Sequence, residues 1–266
     1  MLAEVLERNR TIKPLVHCIT NYVTANDCAN LVLASGASPI MADDPEEVQE
    51  ITAICSGLVL NMGTPNPRKI KALLLAGKEA NRLGHPVVLD PVGVGGSALR
   101  KEASDQLLHQ VRPTVIRGNA SEIRTLVNGA AALRGVDADE VSEDPVILAK
   151  TLAKLHHCTV VLTGETDIVT DGTIIYLVHN GHSMMRYVTG AGCQLSSLIG
   201  AYTAAFPEDS LTASLAAVCA LGLCGETAFQ RLRSEDGSAT YRNYIIDALF
   251  RLTGEALEKG AKYEIQ

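Results

Sequence analysis

The segment Val188-Thr189-Gly190-Ala191-Gly192-Cys193 runs straight into a small-residue stretch of helical spacing, Gln194–Ala205. Glycines let a backbone aim its N–H groups at one point, and a helix N-terminus adds partial positive charge, so Gly190, Ala191 and Gly192 make a candidate anion hole. A tight turn before a buried helix would leave the same sequence. A second glycine-rich stretch, Asp90-Pro91-Val92-Gly93-Val94-Gly95-Gly96, follows an apolar run. It fits a dinucleotide fingerprint poorly, because Pro91 breaks the direct strand-to-helix turn and the expected acid on the next strand is missing. Asp90 is more informative: a carboxylate ending an apolar strand faces the ligand crevice and can hold hydrated Mg²⁺. In Ile116-Arg117-Gly118-Asn119-Ala120-Ser121-Glu122, Asn119 and Glu122 have capping-box spacing and read as a helix start. The same residues allow Arg117 to meet a phosphate and Glu122 a metal-bound water. His156-His157-Cys158 has metal-binding residue types, but helix neighbours point in different directions and no second ligand group follows at zinc spacing, so a helix end is expected.

Such residues act only where the surrounding elements place them. From residue 15 to 163 short apolar runs alternate with amphipathic ones. Strands are predicted at Leu15–Ile19, Ser38–Met41, Gly57–Asn61, Pro86–Asp90, Thr114–Arg117 and Thr159–Thr163. Helices are predicted at Thr24–Ala34, Pro45–Ile54, Pro67–Leu83, Asn119–Leu126 and Pro145–His156, three of them opened by a Pro at a first helical position. This alternation implies a parallel sheet covered on both faces. Asp171-Gly172 and Asn180-Gly181 flank the β-rich run Thr173–Val178 and predict an antiparallel extension. Beyond Gly190 the pattern reads as helix to the end, at Ala191–Ala205, Leu211–Leu232 and Tyr241–Gly260. Ligands of an open parallel sheet bind outside the carboxyl ends of its strands. Asn21, Met41, Asp90, Arg117, Asn119 and Thr163 are therefore the polar or exposed positions to inspect.

The chain of 266 residues is 47% hydrophobic and 20% charged, enough for one large core and one domain over residues 1–266. With 4% aromatics and no Trp, it suits helices packed closely on a sheet, an α/β fold. A net charge of −7 repels polyphosphate over most of the surface, so nucleic acid is not an expected partner. A phosphate-bearing small ligand needs only a local nest of N–H groups and one or two basic side chains. Glu4, Glu7, Arg8 and Arg10 leave no signal-peptide pattern at the N-terminus. The most apolar stretch, Ser214 to Gly225, falls short of the roughly 20 residues a membrane span needs. A cytoplasmic protein with no membrane partner is expected. The seven cysteines are scattered and mostly set in apolar runs, where a reduced thiol behaves as a small hydrophobe.

Six ordered segments together resemble the hydroxyethylthiazole kinase family: Pro14–Val23, Gly36–Ala42, Asp90–Gly93, Arg117–Glu122, Thr163–Glu165 and Val188–Cys193. The resemblance spans almost the whole chain up to the last helices. It implies a ribokinase-like three-layer α/β/α fold, with a mainly parallel sheet, that transfers the γ-phosphoryl group of ATP, with Mg²⁺, to the primary alcohol of methyl-hydroxyethyl-thiazole. It further implies that Asn21, Val23 and Met41 line the thiazole site and that Gly190 sits beside the reacting alcohol. Arg117 and Thr163 would contact the nucleotide, while Asp90 and Glu122 would organise Mg²⁺. Family members are trimers with pockets shared between subunits, so a homotrimer is expected. In the wider ribokinase-like class an Asp base follows the glycine turn; here the residue is Cys193. Cys18, where Asn or Ser is common, and the tail Glu235-Asp236-Gly237-Ser238-Ala239 depart from the family pattern.

Overall fold

The computed structural model describes residues 1–133 and 144–266. Its strands are β1 (Leu15–Ile19), β2 (Ser38–Ile40), β3 (Gly57–Asn61), β4 (Val87–Asp90), β5 (Val115–Asn119), β6 (Thr159–Thr163), β7 (Asp167–Thr170), β8 (Ile175–Val178) and β9 (Tyr263–Ile265). Among the described residues they form one sheet in the order β2-β1-β3-β4-β5-β6-β7-β8-β9. Pairing is parallel from β2 to β6 and antiparallel from β6 to β9. The helices are α1 (Leu2–Ile12), α2 (Ala25–Ser35), α3 (Val48–Ile54), α4 (Pro67–Leu83), α5 (Ala98–Gln110), α6 (Ala120–Leu133), α7 (Pro145–His156), α8 (Ala191–Ala205), α9 (Ser210–Arg231), α10 (Ser238–Arg251) and α11 (Gly254–Gly260).

The apolar strand runs are continuous because both faces of the sheet are covered. Alternate residues divide between two cores, as the period of two requires. Val16, Val59, Val88, Val115 and Val161 face α1, α2, α8, α9 and α10. Leu58, Leu60, Leu89, Ile116 and Leu162 face α4, α5, α6 and α7. Each fully buried aliphatic side chain of this kind contributes about 1.5–3 kcal/mol relative to exposure. The result is a three-layer α/β/α arrangement with an antiparallel extension, as the alternation and hairpin signals imply. The α9 helix is long and apolar enough to cross a membrane by composition, but 78% of that stretch is buried in the core.

Local chemistry explains where the observed boundaries depart from the sequence pattern. Pro67 and Pro145 occupy first-turn positions, with Asn66 and Asp144 as side-chain caps. Pro45 instead precedes α3, which begins only at Val48; an Asx turn from Asp44 to the Glu46 amide takes up the intervening residues. The predicted helix Tyr241–Gly260 is two helices, broken at Leu252 and restarted by the Thr253 cap on Ala256. The chain does not stay helical to its end: Tyr263–Ile265 adds an edge strand to β8. His156 ends α7 and His157 takes the left-handed cap position with φ 51°.

Along this sheet the chain reverses direction at β1, with β2 on one side and β3 on the other. Such a switch point opens a crevice at the carboxyl ends of the strands.

Candidate active site

Three neighbouring strands deliver polar side chains to one spot. Asn21 follows β1, Asn61 ends β3 and Asp90 ends β4, all three nearly or fully buried. Asn21 Nδ2 donates to Asn61 Oδ1 at 3.0 Å, and Asn61 Nδ2 donates to Asp90 Oδ2 at 2.8 Å. Ser196 Oγ, one turn into α8, donates to the same Asp90 oxygen at 2.8 Å. Cys193 completes the group: its Sγ lies 3.4 Å from Asn21 Nδ2 and 3.3 Å from Asn61 Nδ2. Burial, and next the charge of Asp90, push the Cys193 thiol up, against the hydrogen bonds it receives. The helix N-terminus therefore does not make a ready thiolate of it, and the side chain is a neutral thiol at neutral pH.

The turn before α8 needs its glycines. Gly190 is the N-cap with φ 74°, and a Cβ there would stand 2.1 Å from Thr24 Cγ2. A Cβ on Gly192 would stand 2.3 Å from Arg117 Nη1. Helix geometry leaves the first-turn amides without intrahelical acceptors. The Ala191 amide is taken by Val188 O at 3.3 Å, whereas the amides of Gly192 and Cys193 have no protein acceptor among the described residues. The amides left open at this end are thus those of Gly192 and Cys193, with Ala191 turned to the preceding loop.

One cavity opens at this turn and a second lies beyond Asn21. The first, of ≈ 760 Å³, is lined by Arg117, Thr163, Gly164, Asp167, His182, Ala191 and Gly192, among others. Arg117 ends its run over the mouth: Nη2 donates to Thr163 Oγ1 at 2.7 Å, and Nη1 lies 3.8 Å from Asp90 Oδ1. Burial pushes Asp90 up despite the opposing pull of Arg117. Its Oδ1 is buried without a hydrogen-bond partner. The other cavity, ≈ 200 Å³, is lined by Cys18, Thr20, Asn21, Tyr22, Met41, Asp43 and Lys69, among others. Gly192 lines the large cavity and the next residue, Cys193, touches Asn21 of the small one. Met41 is held there because His17 Nε2 donates to the neighbouring Ala42 carbonyl at 2.8 Å and His17 Nδ1 faces the Thr52 hydroxyl at 2.9 Å. Desolvation keeps that imidazole neutral by pushing it down.

Glu122 closes the capping box that its spacing predicts. Its Oε2 accepts from the Asn119 amide at 2.9 Å while Asn119 Oδ1 accepts from the Glu122 amide at 2.9 Å, a closed capping box. The second oxygen accepts from the Gly93 amide at 2.8 Å and ties α6 to the loop after Asp90. Among the described residues no group of three or more His, Cys, Asp or Glu gathers as a metal site. Magnesium keeps several waters and is held by one or two carboxylates plus phosphate oxygens, and Asp90 Oδ1, which has no hydrogen-bond partner, is an oxygen of a kind it takes.

Of the residues singled out from sequence, Asn21 and Met41 share the small cavity, and Arg117, Thr163, Ala191 and Gly192 the large one. Val23 contributes its backbone, donating to Asn21 Oδ1 at 3.1 Å, while its side chain is exposed. Asn61, Ser196 and Lys69 are additional. Asn61 ends a strand as Asp90 does and the same rule selects it. Ser196 is separated from Cys193 by one helical turn on a face that only the folded helix defines.

The sequence matches the hydroxyethylthiazole kinase family over residues 6–255. A hydroxyethylthiazole kinase of Clostridium acetobutylicum is 51% identical, with 99% of each chain covered. One of Methanosphaerula palustris is 46% identical over 99% of this chain and 98% of its own. The solved hydroxyethylthiazole kinase protein of Pyrococcus horikoshii superposes with a TM-score of 0.90 at 32% identity, covering 100% of this chain and 98% of that one. A ribokinase-like superfamily protein of Enterococcus faecalis shares the fold, with a TM-score of 0.67 at 10% identity and 95% of each chain covered. A match of this extent, on a site assembled from the same six segments, makes this chain a member of the hydroxyethylthiazole kinase family.

Proposed function

We propose that this chain transfers the γ-phosphoryl group of ATP to the primary alcohol of 4-methyl-5-(2-hydroxyethyl)thiazole, the salvage step that returns this ring to thiamine synthesis. The carrying observation is the junction at Gly192 and Cys193. Gly192 lines a cavity of nucleotide size, and the sulfur of the next residue, Cys193, touches Asn21 of a cavity of small-ring size, while the two amides have no protein acceptor among the described residues. The relatives' names supply the alcohol.

Phosphoryl transfer relies on position and charge neutralisation, with little covalent work for the protein. ATP lies along the large cavity with Arg117 and Thr163 at its phosphates. The amides of Gly192 and Cys193 hold the oxygens of the transferring group, where charge spreads as the bond to ADP loosens. The alcohol enters from the small cavity beside Met41 and reaches towards Gly190, whose missing side chain lets Thr24 pack against the turn. Asp90 and Glu122 are the residues that would hold Mg²⁺, which neutralises phosphate charge when bound. The Cys193 thiol is protonated and buried, so it does not take the alcohol's proton early. In a loose transition state that proton stays until late and passes to the transferred group's own oxygens, which makes a slow enzyme the expectation.

The working unit is a homotrimer with the small cavity at the subunit boundary. Tyr22, 84% exposed, lines it with Met41, and the next residue, Val23, is half-exposed, an apolar surface on an isolated chain. ATP consumption with the thiazole alcohol and Mg²⁺, with the phosphorylated alcohol identified by mass, tests the reading. Tight ATP binding with no product from this alcohol would refute it.

A further inference from the structure

Lys69 stands in the first turn of α4, where its amide donates to the Asn66 cap at 2.9 Å. The residue is only 4% exposed. Its Nζ donates to Thr20 O at 2.8 Å and to Gly63 O at 2.6 Å, carbonyls of the loops that follow β1 and β3. An ammonium has three donors, so one N–H has no protein acceptor among the described residues. No carboxylate lies within ion-pair distance of it there; Asp43 is the acid that acts on it most strongly, and desolvation pushes the ammonium down to about 8. An amine this buried and unpaired is costly, and the packing face of α4 does not need it, since Ala72, Leu73 and Ala76 supply that face. A second polar group shares the situation. Thr20 Oγ1 is buried without a hydrogen-bond partner, and Thr20 and Lys69 line the same small cavity with Asn21 and Met41.

Resting on the kinase reading above, we infer that Lys69 and Thr20 are substrate-binding residues that read the ring of the alcohol, the unused Lys69 N–H donating to its acceptor nitrogen and Thr20 shaping the wall beside it. A thiazole nitrogen carries one in-plane lone pair and no proton, the complement of one unused N–H. A ring with C–H at that position leaves that donor unsatisfied. A site built to hydrogen-bond a substrate atom rejects the analogue lacking it much more strongly than a purely apolar pocket does.

The test is steady-state kinetics with two alcohols, the thiazole and its thiophene analogue in which C–H replaces the ring nitrogen, on the wild-type chain, Lys69→Met and Thr20→Val. The wild type is expected to show a KM about tenfold or more lower for the thiazole, on the order of one charge-assisted hydrogen bond. Lys69→Met closes most of that gap, while kcat changes less than KM, and Thr20→Val, which keeps the shape of the wall, leaves the gap in place. A wild type that treats both alcohols alike overturns the inference. So does a Lys69→Met that raises both KM values by the same factor, since the lysine would then only tie two loops. If Lys69→Met fails to fold by circular dichroism, the wild-type comparison decides. Phosphorylation of neither alcohol refutes the parent function; equal phosphorylation of both refutes only the ring contact.

Discussion

At the scale of single residues the site turns on what Cys193 is asked to do. Asn21 and Asn61 both donate to its sulfur, and they would donate equally to a carboxylate in its place. Cys193→Asp is therefore expected to fold and to turn over at least as fast as the parent, because a carboxylate can take the alcohol's proton where a neutral thiol cannot. Repulsion from Asp90 works against it, since that charge already raises the thiol. Cys193→Ser is the control and should match Cys. Turnover lost in a folded Cys193→Asp that still binds ATP would show that the alcohol does not sit at this position. On the phosphate side, Arg117→Ala removes a charge-assisted contact of about 1.5–3 kcal/mol and should raise the ATP KM far more than the alcohol KM. An unchanged ATP KM and kcat would take Arg117 out of the nucleotide site. The residues at or near strand ends, Asn21 just past β1, Asp90 and Thr163 closing β4 and β6, and Arg117 two residues before the end of β5, were legible because the change from apolar to polar marks them. Lys69 was not. Its spacing reads as an ordinary surface residue of a helix's first turn, and only the fold shows its ammonium buried between two loops.

At the scale of elements, α8 connects the layers. Its buried small residues let it lie against the sheet while Ala191 and Gly192 at its N-terminus line the large cavity. Gly190 is the hinge of that placement. Gly190→Ala forces a side chain into left-handed backbone, at roughly 1–2 kcal/mol, and against the Thr24 methyl group that begins α2. The expected outcome is a modest loss of thermal stability with a fall of more than tenfold in kcat/KM, because both the anion-binding turn and the alcohol pocket move. A variant of parental kcat/KM would mean that the turn adapts without effect on the site. The parallel half of the sheet could be read from sequence because each of its strands is an apolar run bounded by turn residues. The breaks escaped for local reasons. Nothing in the composition of Tyr241–Gly260 marks Leu252 as a stop, since the Thr253 cap is an ordinary residue until its hydroxyl meets the Ala256 amide. β9 is three residues whose only strand signal is the partner they meet in β8.

At the scale of the whole molecule, a pocket shared between subunits would make activity depend on concentration. Dilution below the trimer's dissociation range should then lower activity before it lowers helix content, and full activity from a monomer by light scattering would refute the shared pocket. A second whole-molecule property follows from the cysteines, all seven of them buried and free. Desolvation pushes Cys28 and Cys55 up to about 11, and Cys158, Cys219 and Cys224 up to about 12. In the unfolded chain such thiols ionise near their ordinary value of about 8.5. Between that value and the native ones the folded state holds more protons than the unfolded state, so stability falls as pH rises, by about 1.4 kcal/mol per pH unit for each thiol in its window. Below the unfolded value the contribution is complete. Lys69 acts in the opposite sense: its native value of about 8 lies below the ordinary lysine value, so deprotonation between the two favours the fold. One lysine does not balance five thiols. Urea unfolding should therefore show a midpoint that is level from about pH 7 to 8 and drops steeply by pH 10. Cys158→Ala and Cys224→Ala are each expected to start from a lower midpoint at neutral pH, because each removes a buried sulfur, but to show a shallower alkaline decline. A midpoint that stays level to pH 10, or a decline that neither substitution softens, would mean that these thiols ionise as readily in the folded chain as outside it.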